Sequence, residues 1–320
     1  MARRVLRAAR CGAHLSVVLL LVSIANFSLV NLLPGDPNTS LIPSGTSADT
    51  AAQVRDQLGL DLPPPTRFVH WLARVVQGDF GVTYGTGEPV IDVVRRAAGV
   101  TIELVVMAQL LALAVGVTVG TFAARRAGSR RDRAMQVVTF GAIALPQFAV
   151  ALVLLLVFAV HLHWFPAVGY VPFGEDPLTS LRGFVLPSTT LAIPVAATYA
   201  RLLRVELAAT LASDHVLLAR GLGLSERRVL FHHALRPSLS GLVAVAATQT
   251  SVLLGGAFIV ESIFALPGVG RLLIASVGRR EYLVVQCAVL LVGTGFVAVN
   301  AAADALRARL DPRIASDPAR

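Results

Sequence analysis

Residues 104–124 read LVVMAQLLALAVGVTVGTFAA, which is 21 consecutive residues without a charged side chain. An α-helix rises 1.5 Å per residue, so about 20 apolar residues cross the roughly 30 Å hydrocarbon core of a bilayer. A run of this length and composition predicts a membrane-spanning helix rather than a core helix of a soluble domain.

Five further runs of similar character lie on either side of this one. The weakest is interrupted by Pro187 and Pro194, but neighbouring helices in a bundle can satisfy the carbonyls that such prolines free. The first follows four arginines, as in a signal peptide, yet it ends without a cleavage site of small residues, so we expect an uncleaved span. The six predicted spans are 15–33, 104–124, 134–160, 183–203, 237–260 and 282–303.

The composition of the 320-residue chain supports a polytopic membrane protein, because 55% of its residues are hydrophobic and only 15% are charged. Soluble domains have about 25% charged residues. All 28 basic residues are arginine, so the chain lacks the lysine that a Walker A loop or Schiff-base chemistry requires. We therefore expect that the chain does not hydrolyse ATP by itself. The sequence also shows no nucleophile–base, zincin or P-loop pattern, so we expect a protein that is not an enzyme and assign no catalytic residue. The two cysteines are too far apart in sequence to suggest a CxxC site.

The arginines are distributed unevenly between the two sides of the membrane. If the N-terminus lies inside and the third inner segment is counted from Arg201, the inner segments hold 19 arginines and the outer segments hold 9. This bias predicts that both termini are cytoplasmic. The net charge of +9 then faces anionic lipid, and no nucleic-acid partner is needed. The predicted inner segments are 1–14, 125–133, 204–236 and 304–320, and the outer ones are 34–103, 161–182 and 261–281.

Two outer segments show a pattern of their own. Segment 34–103 has helical periodicity at Ala51–Leu58, Phe68–Val76 and Pro89–Ala98, which predicts a cap of short helices. Segment 261–281 contains Pro267, Gly268 and Gly270 close together, and we interpret it as a gating or re-entrant element.

The inner segment 204–236 predicts a helix, a turn and a second helix. Asp214 can cap the first helix, Gly221 and Gly223 can end it, and Ser225 can cap the second. Such an elbow is either a basic loop at the lipid headgroups or a docking surface for another subunit.

The sequence of this elbow, DHVLLARGLGLSERRVLFHHALR (214–236), resembles the EAA-type cytoplasmic loop of bacterial ABC importer permeases. Within that family it is most similar to the dipeptide, oligopeptide and nickel branch. Leu217 stands where the strict pattern has an acid, and Gly241 stands where the family often has proline. Further blocks follow the family's order, namely LLPGDP (32–37), LGLD (58–61), GDFG (78–81), IALPQF (143–148), VLP (185–187), ESIFALPGVGRLL (261–273) and LDPR (310–313).

The resemblance implies an all-α, six-span permease of the type I ABC importer fold in the bacterial plasma membrane. It implies import of di- or oligopeptides, with a homologous second permease, two ATP-binding subunits and an extracytoplasmic substrate-binding protein as partners. ATP and Mg²⁺ would then be bound by the partners, and this chain would hold no cofactor. A permease for nickel or another small solute stays open. So does a self-contained secondary transporter, although no internal repeat is evident.

The resemblance also assigns the elbow as the ATPase-coupling loop. Ala219 and Gly223 are small enough for close helix approach, and Arg227 and Arg228 offer guanidinium groups for contact. Phe231 and Leu235 lie four residues apart and predict an apolar pair. The coupling residues expected are Asp214, Ala219, Gly221, Gly223, Leu224, Ser225, Glu226, Arg227, Arg228, Phe231 and Arg236.

Polar side chains inside the spans are the candidates for a translocation pathway, because an unpaired polar group in lipid is costly. We select Gln147, Thr190, Gln249 and Glu261, although such residues also join helices by hydrogen bonds. The pair in His161-Leu-His163 offers too few ligands for a metal ion and precedes a tryptophan typical of the membrane interface. No metal site is predicted.

Overall fold

The computed structural model describes residues 17–18, 20–28, 63–83 and 85–310. The predicted cap helix Ala51–Leu58 and the C-terminal block 311–320 lie outside these ranges, as does much of the first predicted span. Within them the chain is helical, and its strand pairing is a single antiparallel bridge between Val82 and Pro89.

Residues 20–28 are helical, and ten labelled helices follow in the described ranges. They are α1 (Pro64–Val76), α2 (Val90–Ala124), α3 (Arg130–Ala144), α4 (Gln147–Leu154, continued by a π-helical segment Leu155–His161), α5 (Pro177–Leu211), α6 (Asp214–Gly221), α7 (Glu226–Arg228, continued by a π-helical segment Val229–Leu235), α8 (Arg236–Ile263), α9 (Val269–Gly278) and α10 (Tyr282–Leu310).

Among the described residues, four helical stretches are long and apolar enough to cross a membrane: α2, α5, the continuous stretch Glu226–Ile263 and Tyr282–Ala303 of α10. The helical, multi-span class expected from the sequence is therefore confirmed. The count of six spans stays a prediction. The helix predicted at Pro89–Ala98 is not separate, because it continues without a break into the span as the first part of α2.

The third predicted span, 134–160, is not one straight helix. It divides into α3 and α4, whose axes differ by 101°. Leu145 has an extended backbone with ψ of 130°, and Pro146 occupies the N-cap position of α4. Proline has no N–H to donate and disfavours helical geometry in the residue before it, so the helix ends there. In contrast, α5 continues through both of its internal prolines.

The start of α5 is fixed by its own sequence. The Asp176 carboxylate accepts hydrogen bonds from the amides of Leu178 and Thr179 and from the Thr179 hydroxyl, and Pro177 occupies the first turn. The Thr179 hydrogen bonds to the charged carboxylate lower the pKa of Asp176. The predicted outer segment 161–182 therefore ends in a capped helix rather than a plain loop.

The chain divides into two compact units, of which the first comprises 1–101 and 267–298. In this unit the Asn26 side-chain amide donates to the Gln286 carbonyl at 2.9 Å. The Phe27 ring lies 5.3 Å from Phe68 and 5.7 Å from Trp71, centroid to centroid. These contacts join the helical residues 20–28 to α1 and α10. The predicted periodicity at Phe68–Val76 is confirmed by α1.

The second unit comprises 102–266 and 299–320, and it contains the elbow. Here α5 is the central helix, with α3, α4 and α8 packed against it. Two glycines one turn apart, Gly116 and Gly120 of α2, bring that helix against α5. A Cβ atom at Gly116 would lie 2.6 Å from the Tyr199 Cβ, so only a glycine fits this crossing.

Candidate functional site

The elbow forms two helical pieces joined by a tight turn, as predicted. Ser213, not Asp214, occupies the N-cap position of α6, and Asp214 lies in the first turn. The Asp214 carboxylate is still favourable there, because the N-terminal end of a helix carries partial positive charge. Ser225 precedes α7 at its N-cap position without a side-chain capping bond.

The turn is a Schellman motif. The Leu224 amide donates to the Ala219 carbonyl at 3.3 Å, and the Gly223 amide donates to the Arg220 carbonyl at 2.9 Å. Gly223 has φ of +80°, in the left-handed region that favours glycine. Arg220 and Glu226 then form a bidentate ion pair across the turn, with N–O distances of 2.9 and 3.3 Å. This pair is exposed, so we expect it to contribute less than about 1 kcal/mol.

The inner face of the elbow is buried against the ends of α2 and α5. Apolar side chains from both helical pieces of the elbow lie in one buried cluster with side chains of α2 and α5. Because the elbow and α5 share this close-packed cluster, a displacement of the elbow would strain the packing of α5. The buried members are Ala124, Leu203, Leu207, Val216, Ala219, Val229, Leu230, Ala234 and Leu235.

The predicted packing pair of Phe231 and Leu235 is wrong. Leu235 is buried, but Phe231 is 55% exposed. Phe231 lies on the side of the π-helical segment Val229–Leu235 that faces away from the buried cluster, whereas Leu235 belongs to that cluster.

The outer face of the elbow carries large apolar side chains. Leu218 and Leu222 are 65% and 74% exposed and lie one helical turn apart. Leu217, which replaces the family's acid, is exposed as well. We call Leu217, Leu218, Leu222 and Phe231 the apolar face of the elbow. Glu226, Arg227, Arg228 and Arg236 are also exposed, and Leu224 is half-buried.

A buried ion pair, not anticipated from the sequence, joins α3 to α5 near the elbow. The Asp132 carboxylate accepts from Arg204 Nη2 at 2.6 Å and from Arg204 Nε at 3.1 Å. Asp132 is 1% exposed and also accepts from the Gly128 amide. Ser129 caps α3 by accepting from the Asp132 amide. No sequence spacing could indicate a pair whose members are 72 residues apart.

We expect Asp132→Asn to destabilise the protein by about 2 kcal/mol, because it leaves the Arg204 guanidinium half-buried without a counter-ion. Thermal unfolding of the purified chain in detergent measures the change as a lower Tm. Asp92→Asn is the matched control, since Asp92 pairs with Arg95 at an exposed site on α2. If Asp92→Asn lowers the Tm as much as Asp132→Asn does, the buried pair stabilises the protein no more than an exposed one.

The four pathway candidates lie in different environments. Thr190 and Glu261 are fully buried, and the Thr190 hydroxyl donates to the Leu186 carbonyl at 2.9 Å. Gln147 and Gln249 are half-buried. The Gln147 amide lies against Gly256 of α8, where a Cβ atom would come within 2.7 Å of it. Their role in a pathway stays a prediction.

A further polar contact, between Gln109 and Tyr199, joins α2 to α5. The Gln109 amide nitrogen lies 2.9 Å from the Tyr199 hydroxyl, and Tyr199 is fully buried. The histidines of His161-Leu-His163 contact backbone carbonyls through Nδ1, and the Trp164 ring packs at a tilt against Phe158, with 5.6 Å between the centroids. These contacts agree with an end of a span at the membrane interface.

The arrangement defines a class of protein. It is a membrane subunit with several long apolar helices and an elbow that exposes apolar side chains. Exposed apolar surfaces of this kind mark contacts with another protein or with the membrane.

Comparison with known proteins identifies the family. Residues 116–316 match the family described as binding-protein-dependent transport system inner membrane component, and residues 1–105 match its N-terminal component. The chain therefore belongs to this family and is a multi-pass inner-membrane permease of an ABC importer. The resemblance noted in the sequence is confirmed.

Individual relatives cover nearly the whole chain. The glutathione transport system permease protein GsiC of Escherichia coli K12 is 36% identical over 296 residues, which are 92% of this chain and 94% of that protein. A Brucella abortus protein, provisionally named a peptide transport system permease, is 36% identical over 300 residues, 94% of this chain and 96% of that one. Among solved structures, the MetNI methionine ABC transporter contains a chain that matches with a TM-score of 0.56 at 16% identity. That match covers 69% of this chain and 97% of the other, and it supports the fold.

Proposed function

We propose that this chain forms half of the translocation pathway of an ATP-driven importer for di- or oligopeptides. The cargo class is supported by relatives of about the same length whose names assign them to peptide and glutathione transport. ATP and Mg²⁺ are bound by partner subunits, since the chain contains no lysine for a Walker A loop.

The observation that carries the proposal is the two-sided packing of the elbow. Its inner face is buried against α5, and its outer face exposes Leu218, Leu222 and Phe231. An ATP-binding subunit docks on this apolar face. When the ATP-binding subunits close, they move the elbow, and α5 moves with it because the two are packed as one body.

The other subunits of the proposed assembly are inferred from the family to which the chain belongs. A binding protein docks on the outer segments and delivers the peptide to a cavity shared with a second, homologous permease. Both termini of this chain lie in the cytoplasm, as the arginine distribution indicates. Gln147 and Gln249 are the polar groups best placed to line that cavity, because both are half-buried on helices of the second unit.

Purification of the tagged chain from its native host in mild detergent, with mass spectrometry of co-purifying proteins, tests this function. We expect a second permease, two ATP-binding subunits and a substrate-binding protein. The ligand bound by that last protein then names the cargo, and a metal ion or another small solute in place of a peptide would overturn the cargo assignment. Recovery of the chain alone, in a form that transports without ATP, would overturn the importer itself.

A further inference from the structure

An open groove of about 590 Å³ lies between α2, α3 and α5, on the side of the second unit that carries the Asp132–Arg204 pair. Met135, Phe140 and Ile143 of α3 form one wall, and Val119 of α2 and Val205 of α5 form the others. We call this the α3–α5 groove. Its walls are apolar over most of their length.

The helix beside the groove is uncovered. Val137 and Val138 of α3 are 71% and 69% exposed, and Phe140 is 53% exposed. Such a surface on a membrane subunit is stable only when acyl chains or another apolar surface lie against it.

Two charged side chains, Arg201 and Arg204, line this otherwise apolar groove. The Arg201 guanidinium carbon lies 3.8 Å from the centroid of the Phe140 ring. Arg201 is exposed and takes part in none of the ion pairs found in residues 63–83 and 85–310. The neighbouring Arg204 is different, because Asp132 neutralises it.

The surrounding charge is strongly positive. Segment 125–133 contains five arginines and a single acidic residue, Asp132, which is already paired with Arg204. The groove therefore combines an apolar channel with an unneutralised guanidinium in a basic neighbourhood. A ligand complementary to it has a long apolar part and a negative headgroup.

We propose that the α3–α5 groove binds one anionic phospholipid of the cytoplasmic leaflet. An acyl chain lies along Met135, Phe140 and Ile143, and the Arg201 guanidinium holds the phosphate, with the aromatic ring of Phe140 orienting it. A soluble anion would leave the apolar walls uncovered, and a zwitterionic lipid would leave the net positive charge uncompensated. The inference rests on the cytoplasmic placement of segment 125–133 in the proposed function.

Native mass spectrometry of the full-length chain in detergent, titrated with dioleoyl phosphatidylglycerol or dioleoyl phosphatidylcholine, tests this site. We expect the phosphatidylglycerol to remain bound and the phosphatidylcholine to dissociate. Arg201→Gln should weaken phosphatidylglycerol binding about fivefold, as expected for one basic residue near an anionic membrane surface, and Arg201→Lys should retain most of it. Arg182→Gln is the matched control, because Arg182 is exposed on the same helix roughly 28 Å away at 1.5 Å per residue.

A second variant, Ile143→Trp, keeps every charge and fills the groove, so it should also release the lipid. This variant decides the question if Arg201→Gln does not yield a monodisperse protein. Equal retention of the two lipids, or unchanged phosphatidylglycerol binding in both variants, would overturn the proposal. So would a cross-link from the groove to the second permease in the purified importer. Recovery of the partner subunits is measured separately, so failure of the lipid site leaves the importer assignment intact.

Discussion

Gly116→Ala combined with Gly120→Ala is expected to lower the free energy of unfolding by about 3 kcal/mol and to deplete folded protein in the membrane. At Gly120 a Cβ atom would lie 2.8 Å from the Ala200 carbonyl oxygen and 3.1 Å from the Leu203 Cβ. The first neighbour is a backbone atom of α5 and the second is a Cβ atom fixed to that backbone, so neither can move without shifting the helix. The crossing between α2 and α5 must therefore widen.

The control for this pair is Gly99→Ala, on the same helix. A Cβ atom at Gly99 meets nothing within 4 Å, so alanine there should stabilise the helix by about 0.5–1 kcal/mol through its lower backbone entropy. Thermal unfolding in detergent should thus give shifts of opposite sign. If the glycine pair and Gly99 respond alike, the close approach of the two helices is not what requires glycine.

Leu222→Asp together with Phe231→Asp is expected to abolish co-purification of the ATP-binding subunits, while the chain still inserts into the membrane. Both side chains are more than half exposed, so their loss removes little packing within this chain. At an interface, the loss of a central apolar contact costs about 2 kcal/mol or more, which weakens binding by at least about 30-fold. Peptide uptake in whole cells should fall to background.

Val76→Asp is the matched control for the elbow variant. Val76 is an exposed aliphatic residue at the end of α1, in the predicted outer cap. The Val76→Asp variant should co-purify with the ATP-binding subunits at wild-type stoichiometry. Retention of those subunits by the elbow variant would show that the apolar face is not their docking surface, and the coupling role of the elbow would have to be abandoned.

Hydropathy and turn chemistry were sufficient for much of the fold. Uncharged runs of about 20 residues located α2, α5, α8 and α10, and the glycines at 221 and 223 located the turn of the elbow. These features depend on residues that are close together in sequence, so they can be predicted from one sequence alone.

Other features depend on residues far apart in sequence, and pattern alone could not reveal them. The Asp132–Arg204 pair joins residues 72 apart, and the tight crossing at Gly116 requires a small partner surface on α5. The exposure of Phe231 depends on which side of its helix α2 and α5 cover, and the sequence of the segment does not show that side. For Pro146 a signal was present, because proline after a helical run predicts an end to the helix.

The break between Leu145 and Pro146 has a mechanical consequence. In an unbroken helix the two ends turn together, since every residue is tied to the next turn by a backbone hydrogen bond. Here Pro146 has no N–H, and the last carbonyls of α3 are not tied to α4 by a continuous ladder. The angle between the halves is therefore set by the backbone torsions of Leu145 and Pro146 and by side-chain packing. A change in that angle breaks no ladder hydrogen bond at the joint, so α3 and α4 can change their mutual angle while each stays packed against α5.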